Sequence, residues 1–134
     1  MNIEKLRDVV LWVEKESQRE ESAREWDQSM WLRITGAQVP SGDVVNITNL
    51  CGTTCCVAGK LVIEEGYTNF EVGEGGNSHY VLWDDGIPMP IVELAAGILG
   101  INNFEAERLF WEGNSAENIR TVATVIAAAH GEIL

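Results

Sequence analysis

Cys51-Gly52-Thr53-Thr54-Cys55-Cys56-Val57-Ala58-Gly59 carries all three cysteines of the chain. A polar loop, Asn46 to Asn49, precedes it, and a stretch with helical pattern follows. Small residues at such a junction let two backbones approach closely. A thiol at a helix start sits in positive potential, which favours its thiolate. The run therefore marks either a reactive centre or the point where the core is pinned. Thr53 or Thr54 offers a hydroxyl to cap the helix that follows. That helix runs to about Glu65, and Gly66 stops it.

Upstream, Ile3, Leu6, Val9, Val10 and Val13 recur at helical spacing and form one apolar stripe. They predict a helix from Met1 to about Arg24. Its second half, Glu14 to Glu25, is mostly charged and reads as a solvated extension. Trp26 to Trp31 breaks the pattern. Two tryptophans bracketing polar residues predict a short turn anchored by both rings. Trp26, Asp27, Gln28 and Trp31 form a candidate interface, because tryptophan is enriched at binding hot spots. Gly36 to Asn49 reads as a loop with a short strand near Val44 to Ile47.

Downstream, Tyr67 to Val72 and His79 to Trp83 have strand composition, and Gly73 to Asn77 turns a hairpin between them. Ile91 to Leu99 reads as a helix stopped by Gly100. Asn102 and Glu105 match a capping box, and Asn114 with Glu117 repeats the signal. Ile119, Val122, Ala123 and Ile126 share one face of the last helix. Trp83 and Trp111 are assigned to the core. The expected fold is mainly α: a single-domain bundle, residues 1–134, of about five helices with a short β-hairpin. Residues 1–25 form its N-terminal amphipathic helix with a charged extension, and residues 26–134 its helical body.

The chain has 134 residues, 46% of them hydrophobic, which suits one core rather than two domains. No apolar run approaches the roughly 20 residues that cross a bilayer. The charged N-terminus lacks the features of a secretory signal, so a cytoplasmic protein is expected. The net charge is −12. Between Leu61 and Glu107 there is no Lys or Arg, but nine acids: Glu64, Glu65, Glu71, Glu74, Asp84, Asp85, Glu93, Glu105 and Glu107. Such a surface repels nucleic acid and anionic membranes and attracts a basic protein surface.

Three cysteines are an odd number, so a disulfide framework is not expected. Cys51 and Cys56 could form a redox pair, join His79 and His130 in a zinc site, or supply a nucleophile with His79 as base. No Cys-x-x-Cys half-site is present. The favoured reading makes both thiols small apolar plugs where the helix start meets the core. No catalytic residue, cofactor or metal is assigned. Asp84 and Asp85 precede Gly86 and read as a solvated turn.

On Cys51, Gly52, Thr53, Cys56, Ala58 and Gly59 the chain resembles a family of small bacteriophage and bacterial proteins, notably from actinobacterial phages, with a Cys-Gly-Thr-x-x-Cys-x-Ala-Gly signature. Trp26, Asp27, Gln28 and Trp31 are similar to an upstream element of that family. Leu99-Gly100 and the acidic helix from Glu105 to Leu109-Phe110 are similar to a downstream one. Cys55 falls at a variable position of the signature, and Lys60 stands where relatives often carry an aromatic. The resemblance implies a phage accessory protein and assigns no catalytic or binding residue. The expected function is non-enzymatic binding to a host or phage protein with a basic surface, without nucleic acid or membrane. The alternatives are a thiol- or zinc-dependent enzyme centred on Cys51 and Cys56, and an acidic DNA mimic that blocks a host defence protein. A homodimer through the apolar face of the first or last helix is also open.

Overall fold

A computed structural model describes residues 1–34, 42–47, 53–73, 77–82 and 86–134. Among them, five α-helices are joined by a four-stranded antiparallel sheet and a two-stranded ribbon. The domain is therefore mixed α/β, which corrects the expected mainly helical bundle. The helices are α1 (Ile3–Ser17), α2 (Val57–Glu64), α3 (Ile91–Leu99), α4 (Asn103–Leu109) and α5 (Ala116–Ala129). The strands are β1 (Leu32–Ile34), β2 (Val44–Asn46), β3 (Thr53–Cys55), β4 (Asn69–Glu71), β5 (Tyr80–Leu82) and β6 (Pro88–Pro90).

Each strand has three residues, too few for alternation to register in the sequence. β2 and the β4–β5 hairpin lie where strand composition predicts them. β1, β3 and β6 do not, and they account for the changed fold class. β6 is Pro-Met-Pro, and proline cannot donate to a ladder. It is accommodated because β6 is an edge strand in the order β2-β4-β5-β6. The ribbon pairs Leu32 with Cys55 and Ile34 with Thr53.

α1 buries Leu6, Val9, Val10 and Val13, the stripe expected from its spacing. Each such burial is worth roughly 1.5–3 kcal/mol of transfer free energy. The stripe packs on α5 and α2, and α2 packs on α3. α5 buries Ile119, Ala123, Ile126 and Ala127, so the apolar faces of the first and last helices cover one another. Glu14 and Arg120 bridge them through two hydrogen bonds of 2.6 Å.

α1 ends at Ser17, not near Arg24. The Arg24 guanidinium reaches back to the carbonyls of Ser17 (2.8 Å) and Arg19 (3.0 Å) at the negative end of the helix. The Glu16 carboxylate, almost wholly buried, accepts from the Glu25 amide at 2.7 Å. The charged extension is exposed over residues 18–23, as expected, but it leaves the helix and its last two residues fold back on α1. At α3, Gly100 takes the left-handed conformation (φ 70°), and the Ile101 amide bonds back to the Ala96 carbonyl at 3.1 Å. Asn102 and Glu105 form the expected capping box of α4. The cap of α5 is Ser115, not Asn114. The Asn114 amide instead closes the end of α4 on the Arg108 and Leu109 carbonyls, at 2.8 and 3.1 Å.

Candidate functional site

The cysteine run is built from β3 and the start of α2. Thr53 lies in β3, so neither Thr53 nor Thr54 caps α2; Cys56 occupies the cap position. Cys55, at a variable position of the signature, is a core residue. Its amide donates to the Glu25 carbonyl and its carbonyl accepts from the Asp27 amide, both at 2.9 Å. The Cys55 side chain is 4% exposed and that of Cys56 is 1% exposed. Burial pushes the Cys56 thiol up to about 11, although the amides of Gly59 and Ala58 pull the other way. Burial, then the neighbouring Cys56 sulfur, pushes Cys55 higher still. Thiolate is the reactive form, so burial disfavours reactivity of these two sulfurs at neutral pH.

Ala58 is fully buried, and Gly59 is dictated by close approach. A Cβ at Gly59 would stand 2.0 Å from the Trp31 carbonyl oxygen and 2.8 Å from the Cys55 Cβ. Cys51, Gly52, Trp83, Asp84 and Asp85 lie outside the described residues. His79 approaches Asn77 at 3.5 Å, and His130 pairs with Glu105 at 3.0 Å. The described residues therefore bring neither imidazole to the two buried thiols as base or co-ligand. No cluster of three or more His, Cys, Asp or Glu side chains could hold a metal among the described residues.

The tryptophan element upstream is the other half of this junction. Gln28 is its centre. Its amide nitrogen donates to the carbonyls of Leu109 (3.3 Å) and Trp111 (3.2 Å) at the end of α4. Its amide oxygen accepts from Trp26 Nε1 (3.1 Å) and from the Val57 amide (3.4 Å) at the start of α2. One buried side chain thus ties together the loop, α2 and α4. Asp27 Oδ1 accepts from the Ser29 amide (3.0 Å) and hydroxyl (2.6 Å), which fixes the turn. Trp26 and Trp31 are both half-buried and packed against the core, as a ring-anchored turn requires.

The outer side of the loop is open. Trp31, Val92, Phe110 and Trp111 line a groove of about 480 Å³, flanked by Glu107 and Glu112. Trp111 is 59% exposed, which corrects its assignment to the core. Its ring lies over Gly113, where a Cβ would come within 2.6 Å of it. A second depression, also about 480 Å³, shares Gln28, Ser29 and Glu112 and adds Glu21, Arg24 and Asp27. Arg24 is committed to the end of α1. Neither Glu107 nor Glu112 forms an ion pair among the described residues.

The groove between α1 and α2 is different. Lys5 there pairs with Glu65, while Lys60 pairs with Glu64 and lies 5.0 Å from the Trp12 ring centre. Four of its five charged side chains, all but Asp8, are thus paired with one another.

The sequence points to Trp26, Asp27, Gln28 and Trp31, and the structure gathers them at one place. It gives Gln28 and Asp27 structural duties and leaves Trp31 facing the groove. Glu107, Phe110, Trp111 and Glu112 are missed by sequence reasoning. A signal for them exists: α4 buries Glu105, Ala106 and Leu109 and turns Phe104 and Glu107 outward, with exposed Trp111 just beyond its end. No family model, curated protein or solved structure matches this chain.

Proposed function

We propose that this protein is a non-enzymatic binding module that docks onto a host or phage protein through the groove between the tryptophan loop and the end of α4. The observation that carries this reading is the pairing of an exposed tryptophan, Trp111, with a half-buried one, Trp31, in an open groove rimmed by carboxylates. Tryptophans in grooves are typical binding anchors, and they lose most energy when truncated. The net charge of −12 favours a partner with a basic surface and disfavours direct contact with nucleic acid or an anionic membrane. The phage setting, and with it the host cytoplasm, rests on the resemblance of the cysteine signature. No helix of the described residues is long and apolar enough to cross a membrane, in keeping with that setting.

The alternatives draw less support. The burial of Cys55 and Cys56 disfavours thiol chemistry at either of them. A DNA mimic needs carboxylates arrayed like phosphates. Of the central acids, Glu64 and Glu65 are ion-paired, and Glu105 caps α4 while pairing with His130.

The test is affinity purification of the tagged protein from its host at low and high salt, comparing wild type with Trp111→Ala and with Leu11→Ser on the exposed side of α1. A specific partner that is retained by Leu11→Ser, lost with Trp111→Ala and weakened by salt is the expected result. A partner captured equally by all three proteins refutes the groove.

A further inference from the structure

We infer that the groove receives an arginine side chain from a short basic segment of the partner. The inference rests on the docking reading above and names the chemistry of what docks. Two features of the groove combine to select this occupant. Its walls are aromatic and aliphatic: Trp31, Trp111, Phe110 and Val92. Its rim carries Glu107 and Glu112, five residues apart on either side of Phe110 and Trp111, with no cation paired to either among the described residues. A neutral apolar side chain would fill the walls and leave two carboxylates partly desolvated beside it. An anion would be repelled.

Arginine satisfies both features. Its aliphatic stem covers apolar surface while its planar guanidinium stacks on an indole face and donates to carboxylates. Lysine presents a compact, strongly hydrated charge and cannot stack in this way. The adjoining depression extends the acidic field with Glu21 and Asp27. Its single guanidinium, Arg24, is held by the carbonyls of Ser17 and Arg19. The site thus suits a segment with a second positive charge a few residues from the anchoring arginine. Trp111 is ready for contact before any ligand arrives. Its carbonyl is held by Gln28, and its ring rests over Gly113.

The experiment titrates the full chain with a capped hexapeptide of alternating glycine and arginine, following tryptophan fluorescence and calorimetric heat. The same peptide with lysine, and the same with glutamate, serve as comparators. The proteins are wild type, Glu107→Gln/Glu112→Gln, the charge-matched Glu4→Gln/Glu132→Gln, and Gly113→Ala. In that last variant the three atoms nearest the added carbon all belong to the tip of the Trp111 ring, which must shift.

Wild type should bind the arginine peptide several-fold tighter than the lysine peptide and ignore the glutamate peptide. Glu107→Gln/Glu112→Gln should weaken binding about tenfold, and Gly113→Ala roughly threefold, while Glu4→Gln/Glu132→Gln stays within about twofold of wild type. Equal affinity for arginine and lysine, equal loss in both double variants, or no binding overturns the inference. If Trp111→Ala abolishes capture of the natural partner but the arginine peptide does not compete for it, the docking reading stands and the arginine assignment falls. If Trp111→Ala leaves capture intact, both fall.

Discussion

The loop from Trp26 to Trp31 has two sides, and they obey different rules. Its inner side is closed. The Trp31 carbonyl lies against Gly59, Gln28 spends its amide on four backbone and ring partners, and Cys55 and Cys56 fill the space beneath. Its outer side is open, with Trp31 and Trp111 facing a groove and two carboxylates left uncompensated. The cysteines are chemically the most conspicuous residues of the chain, yet burial silences the two that are described. The side chains whose polar or aromatic surface is not yet spent are instead those of the groove. A polar group fully used inside the fold stabilises it; one left exposed beside apolar surface is available to a partner.

The sharpest way to break this contrast is Gly59→Ala. The added carbon would overlap the Trp31 carbonyl, so α2 or the loop must move. The cost should be about 3 kcal/mol or more, read by urea denaturation, with failure to fold an acceptable extreme. Unchanged stability would mean that the junction is loose. Gln28→Leu should follow at about 2 kcal/mol, because it takes the acceptor from the buried Val57 amide and the half-buried Trp26 indole N–H; the carbonyls of Leu109 and Trp111 keep their bonds from Asn114.

Acid should act next. Arg120 holds the Glu14 carboxyl below its ordinary value of 4.5. At Glu16 and Glu105 burial pushes upward. The Glu25 amide and Arg19 at the first, and His130 and the Asn102 amide at the second, outweigh it and keep both below 4.5. Folded values below the unfolded one give stability that is complete above about pH 4.5 and is lost as pH falls through the folded values. Unfolding midpoints should therefore be flat from pH 7 to 5 and fall below 4.5. Glu14→Gln should remove about 0.5 kcal/mol of that acid sensitivity, a small amount because both partners are about a third or more exposed.

Thiol labelling sharpens the same contrast without a mutation. Iodoacetamide at neutral pH should modify Cys55 and Cys56 only after denaturant is added, as peptide mapping would show. Labelling of either in the native protein would place it at an accessible site. The smallest effect on stability belongs to the outer side. Trp111→Ala should change the unfolding free energy by no more than about 0.5 kcal/mol while abolishing partner capture. A large loss of stability would return Trp111 to the core.

Much of the helical framework was legible in the residues themselves. The α1 stripe, the stops at Gly66 and Gly100, the Asn102–Glu105 capping box and the β4–β5 hairpin depend on neighbours within a few positions. The failures came where a local signal competed with a distant partner. Thr53 and Thr54 look like helix caps, but Leu32 to Ile34 recruits them as a strand. Asn114 looks like the start of α5, but the open carbonyls of Arg108 and Leu109 claim its amide. The helical pattern looks continuous to Arg24, but Arg24 and Glu25 return to satisfy the end of α1 and the Glu16 carboxylate.

By itself the sequence determined which segments are helical, which of their faces are apolar, and the sign of the surface charge. Those properties follow from spacing, capping chemistry and composition within single segments. Only the tertiary structure decided the fold class, the silence of Cys55 and Cys56, and the groove. Strands of three residues gain stability only from their pairing. The groove is assembled by a glutamine and a carbonyl 83 positions apart. No local rule encodes such a meeting, because its free energy exists only once the packed chain excludes water from both groups.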